Sequence, residues 1–118
     1  MMKSITPMLR VDDYARAKAF YVDELGFACV EEAGEPVAGF GIFVRDQIRI
    51  FLQAWDGAGE AYDNWRAWVY VTDMDALVAE LDSKGVELSK RPYVTNYDMR
   101  EFELIDPDGN VICFGTDP

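Results

Sequence analysis

The side chains best suited to recognising a small molecule are aromatic rings on one predicted strand near the middle of the chain. Residues 66–72, RAWVYVT, alternate between two faces as a β-strand does, and they are rich in β-branched and aromatic residues. Trp68 and Tyr70 share one face with Arg66, whereas the other face is small and apolar. Such rings stack on flat heteroaromatic ligands and attract cations. The alternative is that a hydrophobic core absorbs this face.

The charge of the chain limits the partners that it attracts. Aspartate and glutamate number 22 against 11 lysines and arginines, the net charge is -11, and histidine is absent. An acidic surface repels phosphate backbones, so we expect no nucleic-acid partner. It attracts cationic solutes over about a Debye length, roughly 8 Å at physiological salt, although it can also serve solubility alone.

Other features of the composition favour a cytoplasmic location. No apolar run approaches the roughly 18 residues of a membrane span and no signal peptide is visible, so we expect no membrane partner. Cys29 and Cys113 lack CxxC spacing, and we interpret them as reduced, mostly buried thiols.

Secondary-structure signals divide the chain into two similar halves. In the first half we predict a strand at 5–11, a helix at 14–25, and strands at 27–32, 40–45 and 48–55. In the second half we predict the same order at 66–72, 74–84, 86–90, 100–105 and 110–114, with a turn at 106–109. Aspartates can cap both helices, and Gly26 and Gly85 can end them.

The two halves are the same unit offset by roughly sixty residues. We therefore predict an α+β fold in which two tandem βαβββ modules form a curled, partly open mixed sheet around a cleft. Residues 1–118 are expected to form a single domain made of two repeats, about 5–55 and 66–115, joined by a connector at 56–65. Ligand sites favour concave places of that kind.

Three stretches carry a resemblance to a known family. They are MLRVDD at 8–13, FYVDELGF at 20–27 and REFELIDPDGN at 100–110. Taken in order, and over essentially the whole chain, the paired module resembles the vicinal-oxygen-chelate superfamily, which includes glyoxalase, the bleomycin-resistance proteins and extradiol dioxygenases.

Enzymes of that superfamily hold a divalent metal with four side chains, typically His, Glu or Gln. By the resemblance, the matching positions here are Thr6, Phe51, Arg66 and Cys113. Phenylalanine has no donor atom, arginine opposes a cation, and a threonine with a lone cysteine makes no site for such a metal. We therefore expect no metal, no other cofactor and no metal-dependent chemistry, and we assign no catalytic residue.

Within the superfamily, the chain is most similar to the bleomycin-resistance proteins. The resemblance lies in Phe40 with FVRD at 43–46, in Asp63-Asn64 before AWVYV at 67–71, and in MREF at 99–102. Those proteins clamp the flat bithiazole of the drug between aromatic rings in a groove between two subunits, while acidic groups meet its cationic tail. Those proteins commonly have a tryptophan just before the Arg-Glu-Phe run, and here that place falls at Asp98, with Tyr97 beside it.

The resemblance and the strand pattern together give the candidate ligand-binding residues. The rings are Phe40, Trp68, Tyr70 and Tyr97, and the polar anchors are Gln53, Asp63, Asn64 and Asp98. Structural alternatives exist: Phe40 can belong to the core, and Asp63 with Asn64 can simply make a turn. Arg66 can pair with a carboxylate or repel a cation, and Trp65 can cover the core or a subunit interface.

The expected function is metal-independent binding and sequestration of a planar, cationic natural product such as a bleomycin-family antibiotic, and hence antibiotic resistance. The alternatives are a glyoxalase-like lyase or dioxygenase with a divergent site, and a carrier for another aromatic metabolite. The resemblance also implies a homodimer, in which the N-terminal strand can be exchanged at a hinge formed by Pro7.

Overall fold

A computed structural model describes residues 1–54 and 64–118, and the chain divides into two compact units, Met1–Glu60 and Ala61–Pro118. The candidate Asp63 and most of the predicted connector lie outside the described residues. The described residues form two four-stranded mixed sheets, which confirms the predicted α+β class with two βαβββ modules. Among their helices, none is long and apolar enough to cross a membrane. The assignment of both repeats to one domain stays a prediction.

The first unit contains β1 (Met8–Val11), α1 (Tyr14–Ala19), β2 (Ala28–Ala33), β3 (Phe40–Arg45) and β4 (Ile48–Ala54). Its strand order is β1-β4-β3-β2, with β1 parallel to β4 and the other pairs antiparallel. The Asp13 side chain accepts a hydrogen bond from the Arg16 N–H at 3.1 Å and so caps α1. A π-helical turn, Phe20–Glu24, continues α1, so the predicted helix at 14–25 is present with a wider last turn.

One face of the first sheet packs against α1. The Tyr14 ring lies 6.3 Å from the ring of Phe43, which is fully buried. Gly41 lies under the Tyr14 hydroxyl, where an added Cβ atom would overlap it, so this strand position accepts only glycine without rearrangement. Because side chains alternate along a strand, Phe40 projects to the opposite face.

The second unit contains β5 (Trp65–Tyr70), α2 (Met74–Ser83), β6 (Lys90–Val94), β7 (Arg100–Ile105) and β8 (Val111–Thr116). Its strand order, β5-β8-β7-β6 with β5 parallel to β8, repeats that of the first unit. The Asp73 side chain accepts a hydrogen bond from the Ala76 N–H at 3.0 Å and caps α2. On one face of this sheet the buried rings of Phe102 and Phe114 stack with centroids 4.8 Å apart.

The predicted strand at 86–90 is wrong in position. The strand is β6, Lys90–Val94, and it includes the Arg91-Pro92 pair that the pattern assigns to the strand end. Val86 is buried at the end of α2 instead, where its N–H donates to the Leu81 carbonyl at 3.0 Å. Proline is tolerated in β6 because the strand is an edge strand with a register shift. Smaller differences are that β1 begins at Met8 rather than at residue 5, and that β5 ends at Tyr70.

The turn between β7 and β8 follows the sequence prediction. The buried Asp106 side chain accepts hydrogen bonds from the Asp108 N–H at 2.9 Å, the Asn110 N–H at 2.8 Å and the Asn110 Nδ2 at 2.9 Å. Gly109 supplies the positive φ of 86° that the turn requires. Asp106 therefore fixes the two strands on which the candidate site is built.

Candidate ligand-binding site

Two indoles, two carboxylates and a thiol share one face of the second sheet. A β-bulge at Arg66 shifts the register of β5, so that Trp68 pairs with Cys113 while Trp65, three positions earlier, pairs with Val111. The regular alternation predicted for 66–72 therefore breaks at Arg66, which is half-buried. From β7, Glu101 and Glu103 project to the same side. We call this surface the carboxylate face and define it as Trp65, Trp68, Glu101, Glu103 and Cys113.

Glu101 lies at the centre of the carboxylate face and has no exposed surface. Its Oε2 accepts hydrogen bonds from Trp68 Nε1 at 3.0 Å and from the Tyr97 hydroxyl at 2.7 Å, while its Oε1 accepts one from Cys113 Sγ at 3.5 Å. A group that only accepts hydrogen bonds matches an ionised carboxylate. The structure thus brings together Trp68 and Tyr97, two predicted ring residues, through a buried acid.

The rings around Glu101 keep exposed surface. Trp68 is 38% exposed and Tyr97 55% exposed, although each is fixed by a hydrogen bond at its polar edge. Trp68 also lies across Gly115, where an added Cβ atom would overlap its six-membered ring. Tyr70 is 52% exposed, its ring is 6.2 Å from that of Trp68, and its hydroxyl donates to Asp117 Oδ2 at 2.6 Å. The rings of Trp68, Tyr70 and Tyr97 are therefore not part of the hydrophobic core.

Glu101 changes the acidity of its donors. Its hydrogen bond, together with burial, raises the pKa of Tyr97 to about 12, because a phenolate there would face a carboxylate. Burial, followed by the charge of Glu101, raises the pKa of Cys113 to about 12. The thiol of Cys113 is therefore protonated at neutral pH and donates to Glu101.

The ionisation of Tyr97 gives a prediction for alkaline pH. The folded state holds this proton more tightly than the unfolded chain, whose tyrosine pKa is about 10, so its stabilising contribution is present below pH 10 and is lost towards pH 12. The difference in absorbance at the phenolate band between the wild type and Tyr97→Phe is expected to show Tyr97 ionising well above the ordinary tyrosine pKa of about 10. Ionisation of Tyr97 near its ordinary pKa in the folded protein contradicts this contact.

Glu103 forms a second pair with an indole. Trp65 Nε1 donates to Glu103 Oε2 at 3.1 Å, and Lys90 Nζ lies 3.5 Å from the same oxygen. Trp65 is 39% exposed, so its ring does not belong to the core. Its indole N–H has Glu103 as acceptor. Glu103 thus has a cation beside it, whereas within residues 1–54 and 64–118 no ion pair reaches Glu101.

Two predicted residues lie in the first unit. Phe40 and Gln53 are directly paired across β3 and β4, and both are half-buried. The Phe40 ring is 5.4 Å from that of Phe51, at an angle of 54°. These residues form an aromatic and amide surface on the face opposite the buried Phe43 and Leu52.

Asp98 and Asn64, the remaining predicted residues within the described part of the chain, are exposed in the second unit. Asp98 adopts a φ of 59° in the loop before β7, a conformation that suits a turn. Asn64 Oδ1 accepts a hydrogen bond from the Trp65 N–H at 2.8 Å. Glu101 and Glu103 were not predicted as site residues from the sequence. Their signal was two acidic residues alternating with Phe102 and Leu104 on a strand, which is also the pattern of an ordinary exposed face.

The positions that hold a metal in the related enzymes do not offer a suitable donor set. Phe51 has no donor atom, Arg66 carries a positive charge, and Cys113 is held as a thiol although metals bind the thiolate. Within residues 1–54 and 64–118, no three His, Cys, Asp or Glu side chains are grouped to hold a metal ion.

Comparison with known proteins places these features in a family context. The sequence matches the family model of the Glyoxalase/Bleomycin resistance protein/Dioxygenase superfamily over residues 4–114. A bleomycin resistance protein of Geobacillus stearothermophilus is 27% identical over an alignment 136 positions long, which covers 97% of this chain and 96% of that protein.

Solved structures share the fold. The antibiotic binding protein TnmS3 from Streptomyces sp. CB03234 matches with a TM-score of 0.76 and 24% identity, covering 100% of this chain and 99% of that one. A lactoylglutathione lyase from Agrobacterium tumefaciens matches with a TM-score of 0.75 and 17% identity, covering 98% of this chain and 94% of that one. A binding protein and an enzyme thus share this fold, so function must be argued from the site.

Proposed function

The chain belongs to the Glyoxalase/Bleomycin resistance protein/Dioxygenase superfamily, and from that premise we propose that it binds and sequesters a planar, cationic natural product of the bleomycin-antibiotic class. Binding requires no metal and leaves the ligand chemically unchanged. The similarity to a bleomycin resistance protein and to an antibiotic binding protein supports this class of function. Sequestration of the drug would give the cell antibiotic resistance.

Glu101 and its aromatic donors carry this proposal. In the part of the chain that the structure describes, its hydrogen bonds come from neutral groups, and no ion pair reaches it. The negative charge therefore acts through the exposed rings of Trp68 and Tyr97 on whatever lies against them. A ligand cation over such a ring gains about 0.5–2 kcal/mol, and stacking of a flat ring adds about 0.5–1.5 kcal/mol.

The chemistry of the carboxylate face favours binding over catalysis. Glu101 and Glu103 are buried and already engaged by donors, and Cys113 is held protonated rather than as a nucleophilic thiolate. Turnover of a glyoxalase or dioxygenase substrate with stoichiometric metal would support the enzymatic alternative instead.

Metal-free bleomycin is the first ligand to test. Calorimetric titration at low and high salt is expected to show binding that weakens as salt increases, because the chain carries a net charge of -11. Tryptophan emission should change on binding, since Trp68 forms part of the stack. No heat and no emission change up to high micromolar ligand would contradict the proposal.

Matched tryptophan variants assign the optical signal. Trp68→Phe is expected to remove the emission change and to weaken binding about fivefold, since about 1 kcal/mol of ring–cation attraction is lost. Trp65→Phe serves as the control and should keep both the emission change and the affinity for a planar cation. If Trp65→Phe, and not Trp68→Phe, removes the emission change and weakens binding, the ligand stacks on Trp65.

The proposal includes an isologous homodimer with two equivalent grooves. The Pro7 carbonyl accepts a hydrogen bond from the Phe51 N–H at 3.0 Å, so the chain enters the sheet directly at the proline, and exchange of β1 between subunits would hinge there. Light scattering at micromolar concentration is expected to give twice the 13.4 kDa mass of the chain. The mass of a single chain would exclude the groove between subunits.

A further inference from the structure

The end of β8 runs beside the ring pair of Trp68 and Tyr70. Tyr70 is paired with Gly115 across the parallel strands β5 and β8. Because side chains alternate along a strand, Asp117, two positions after Gly115, faces the same side as both rings. The Val71 N–H donates to the Gly115 carbonyl at 2.8 Å, so the pairing of the two strands extends past Tyr70. The backbone therefore brings Asp117 alongside Tyr70.

The carboxylate of Asp117 fixes the polar end of the Tyr70 side chain. The Tyr70 hydroxyl donates to Asp117 Oδ2 at 2.6 Å, the length of a charge-assisted hydrogen bond. This hydrogen bond, followed by burial and by the charge of Asp117, raises the pKa of Tyr70, since a phenolate there would face a carboxylate. The Tyr70 ring is 52% exposed, so packing alone does not decide where it lies. The contact with Asp117 does.

The two rings of the pair are held in different ways and form an open corner. Trp68 donates its indole N–H to the buried Glu101 and lies across Gly115. The Tyr70 ring is 6.2 Å from that of Trp68 and is tilted by 55° against it, so a flat molecule resting on Trp68 meets Tyr70 at its edge. An exposed tyrosine otherwise changes rotamer on the picosecond to nanosecond timescale. The corner therefore depends on the hydrogen bond to Asp117.

We infer that Asp117 is a positioning residue, which holds the Tyr70 ring as the side wall of the ligand site over Trp68. The inference rests on the proposed function for the presence of a planar ligand, whereas the ring contact itself exists without one. Fixing the ring beforehand removes part of the entropy cost of ordering it when a ligand binds. This benefit is the same for a charged and for a neutral ligand, whereas a direct attraction to the carboxylate would favour only a cation.

The full chain without ligand gives the first test. Through-space ¹H–¹H cross-peaks between the rings of Trp68 and Tyr70 are expected in the wild type, assigned with Trp68→Phe and Tyr70→Phe. In Asp117→Ala they should lose about half of their intensity, because a ring that samples other rotamers spends only part of its time beside Trp68. Asp117→Asn keeps an acceptor oxygen and should preserve them. Glu87→Ala, which removes another exposed acidic residue, is the matched control and should leave them unchanged.

Ligand titrations give the second test, with 9-aminoacridine as a planar cation and acridone as a neutral ligand of similar shape. Asp117→Ala is expected to weaken binding of both ligands about three- to tenfold, which corresponds to the cost of ordering one side chain on binding. Tyr70→Phe removes the donor and should have the same effect. The double variant should bind no more weakly than Tyr70→Phe alone, because without the hydroxyl Asp117 has no ring to position.

The outcomes distinguish this inference from the proposed function. The inference is overturned if Asp117→Ala keeps the full cross-peaks, binds both ligands as well as the wild type, or still weakens binding when Tyr70 is already phenylalanine. A loss confined to 9-aminoacridine and shared by Asp117→Asn also overturns it, because Asp117 would then attract the cation directly. If neither ligand binds the wild type while the cross-peaks still depend on Asp117, the planar-cation proposal fails and the positioning of Tyr70 stands.

Discussion

Replacing Glu101 with glutamine is expected to weaken binding of a planar cation about 30-fold and to leave a neutral ligand of the same shape almost unaffected. Glutamine keeps the size of the side chain and an acceptor oxygen for Trp68 and Tyr97, but it removes the charge. A unit charge about 7 Å from a ligand cation contributes about 2 kcal/mol at an effective dielectric constant of about 20, and that energy corresponds to about 30-fold in affinity.

The comparison uses 9-aminoacridine as the cation and acridone as the neutral ligand, both titrated into the wild type and Glu101→Gln. Glu31→Gln is the matched control, because Glu31 is exposed on β2 and its replacement makes the same change in net charge. Urea denaturation verifies that the variants remain folded. An equal loss of affinity for both ligands would show that Glu101 acts by positioning the rings and would contradict a role for its charge.

Replacing Asp106 with alanine is expected to lower the free energy of unfolding by about 2–4 kcal/mol. The carboxylate is 3% exposed and accepts hydrogen bonds from two backbone N–H groups and the Asn110 side chain, so its removal leaves these donors without their acceptor in a tight turn. Urea denaturation followed by far-UV circular dichroism measures the change in midpoint and slope.

Two further variants define the origin of that loss. Asp106→Asn keeps an acceptor oxygen for the backbone N–H groups, but it places an amide NH₂ group against the Asn110 amide nitrogen, so that two donors face each other. Its loss in the free energy of unfolding should therefore be intermediate between those of the wild type and Asp106→Ala. Glu87→Ala changes an exposed acidic residue and should alter stability by less than about 0.5 kcal/mol. If Asp106→Ala unfolds at the wild-type midpoint, the turn does not depend on this carboxylate, and the Asp-Pro-Asp-Gly-Asn run needs another explanation.

Local signals in the sequence predicted most of the fold. Asp13 and Asp73 cap their helices where expected. The proline and the glycine of the 106–109 turn set the backbone conformation of that turn alone, so their effect is visible in the local sequence. The prediction of a strand at 86–90 was wrong because Pro92 was taken to end the strand. An edge strand tolerates a proline, and whether a strand lies at the edge depends on its place in the sheet.

The site could be predicted only in part. Trp68, Tyr70 and Tyr97 follow from the pattern and the family resemblance, and the structure leaves all three with exposed rings. Glu101 could not be predicted as a site residue, because an acidic residue that alternates with apolar residues on a strand usually faces solvent. Its burial results from Trp68 and Tyr97 lying over it, and neither is its neighbour along β7.

The sequence by itself determined the two βαβββ modules, the helix caps, the turn before β8 and the aromatic character of β5, because each depends on residues close together in the chain. Only the tertiary structure decided how the indoles meet the acids. Trp68 and Glu101 are 33 positions apart, and Trp65 and Glu103 are 38 apart. Their contacts depend on strand pairing and on the bulge at Arg66, since a shift of one residue in register moves a side chain to the other face of the sheet.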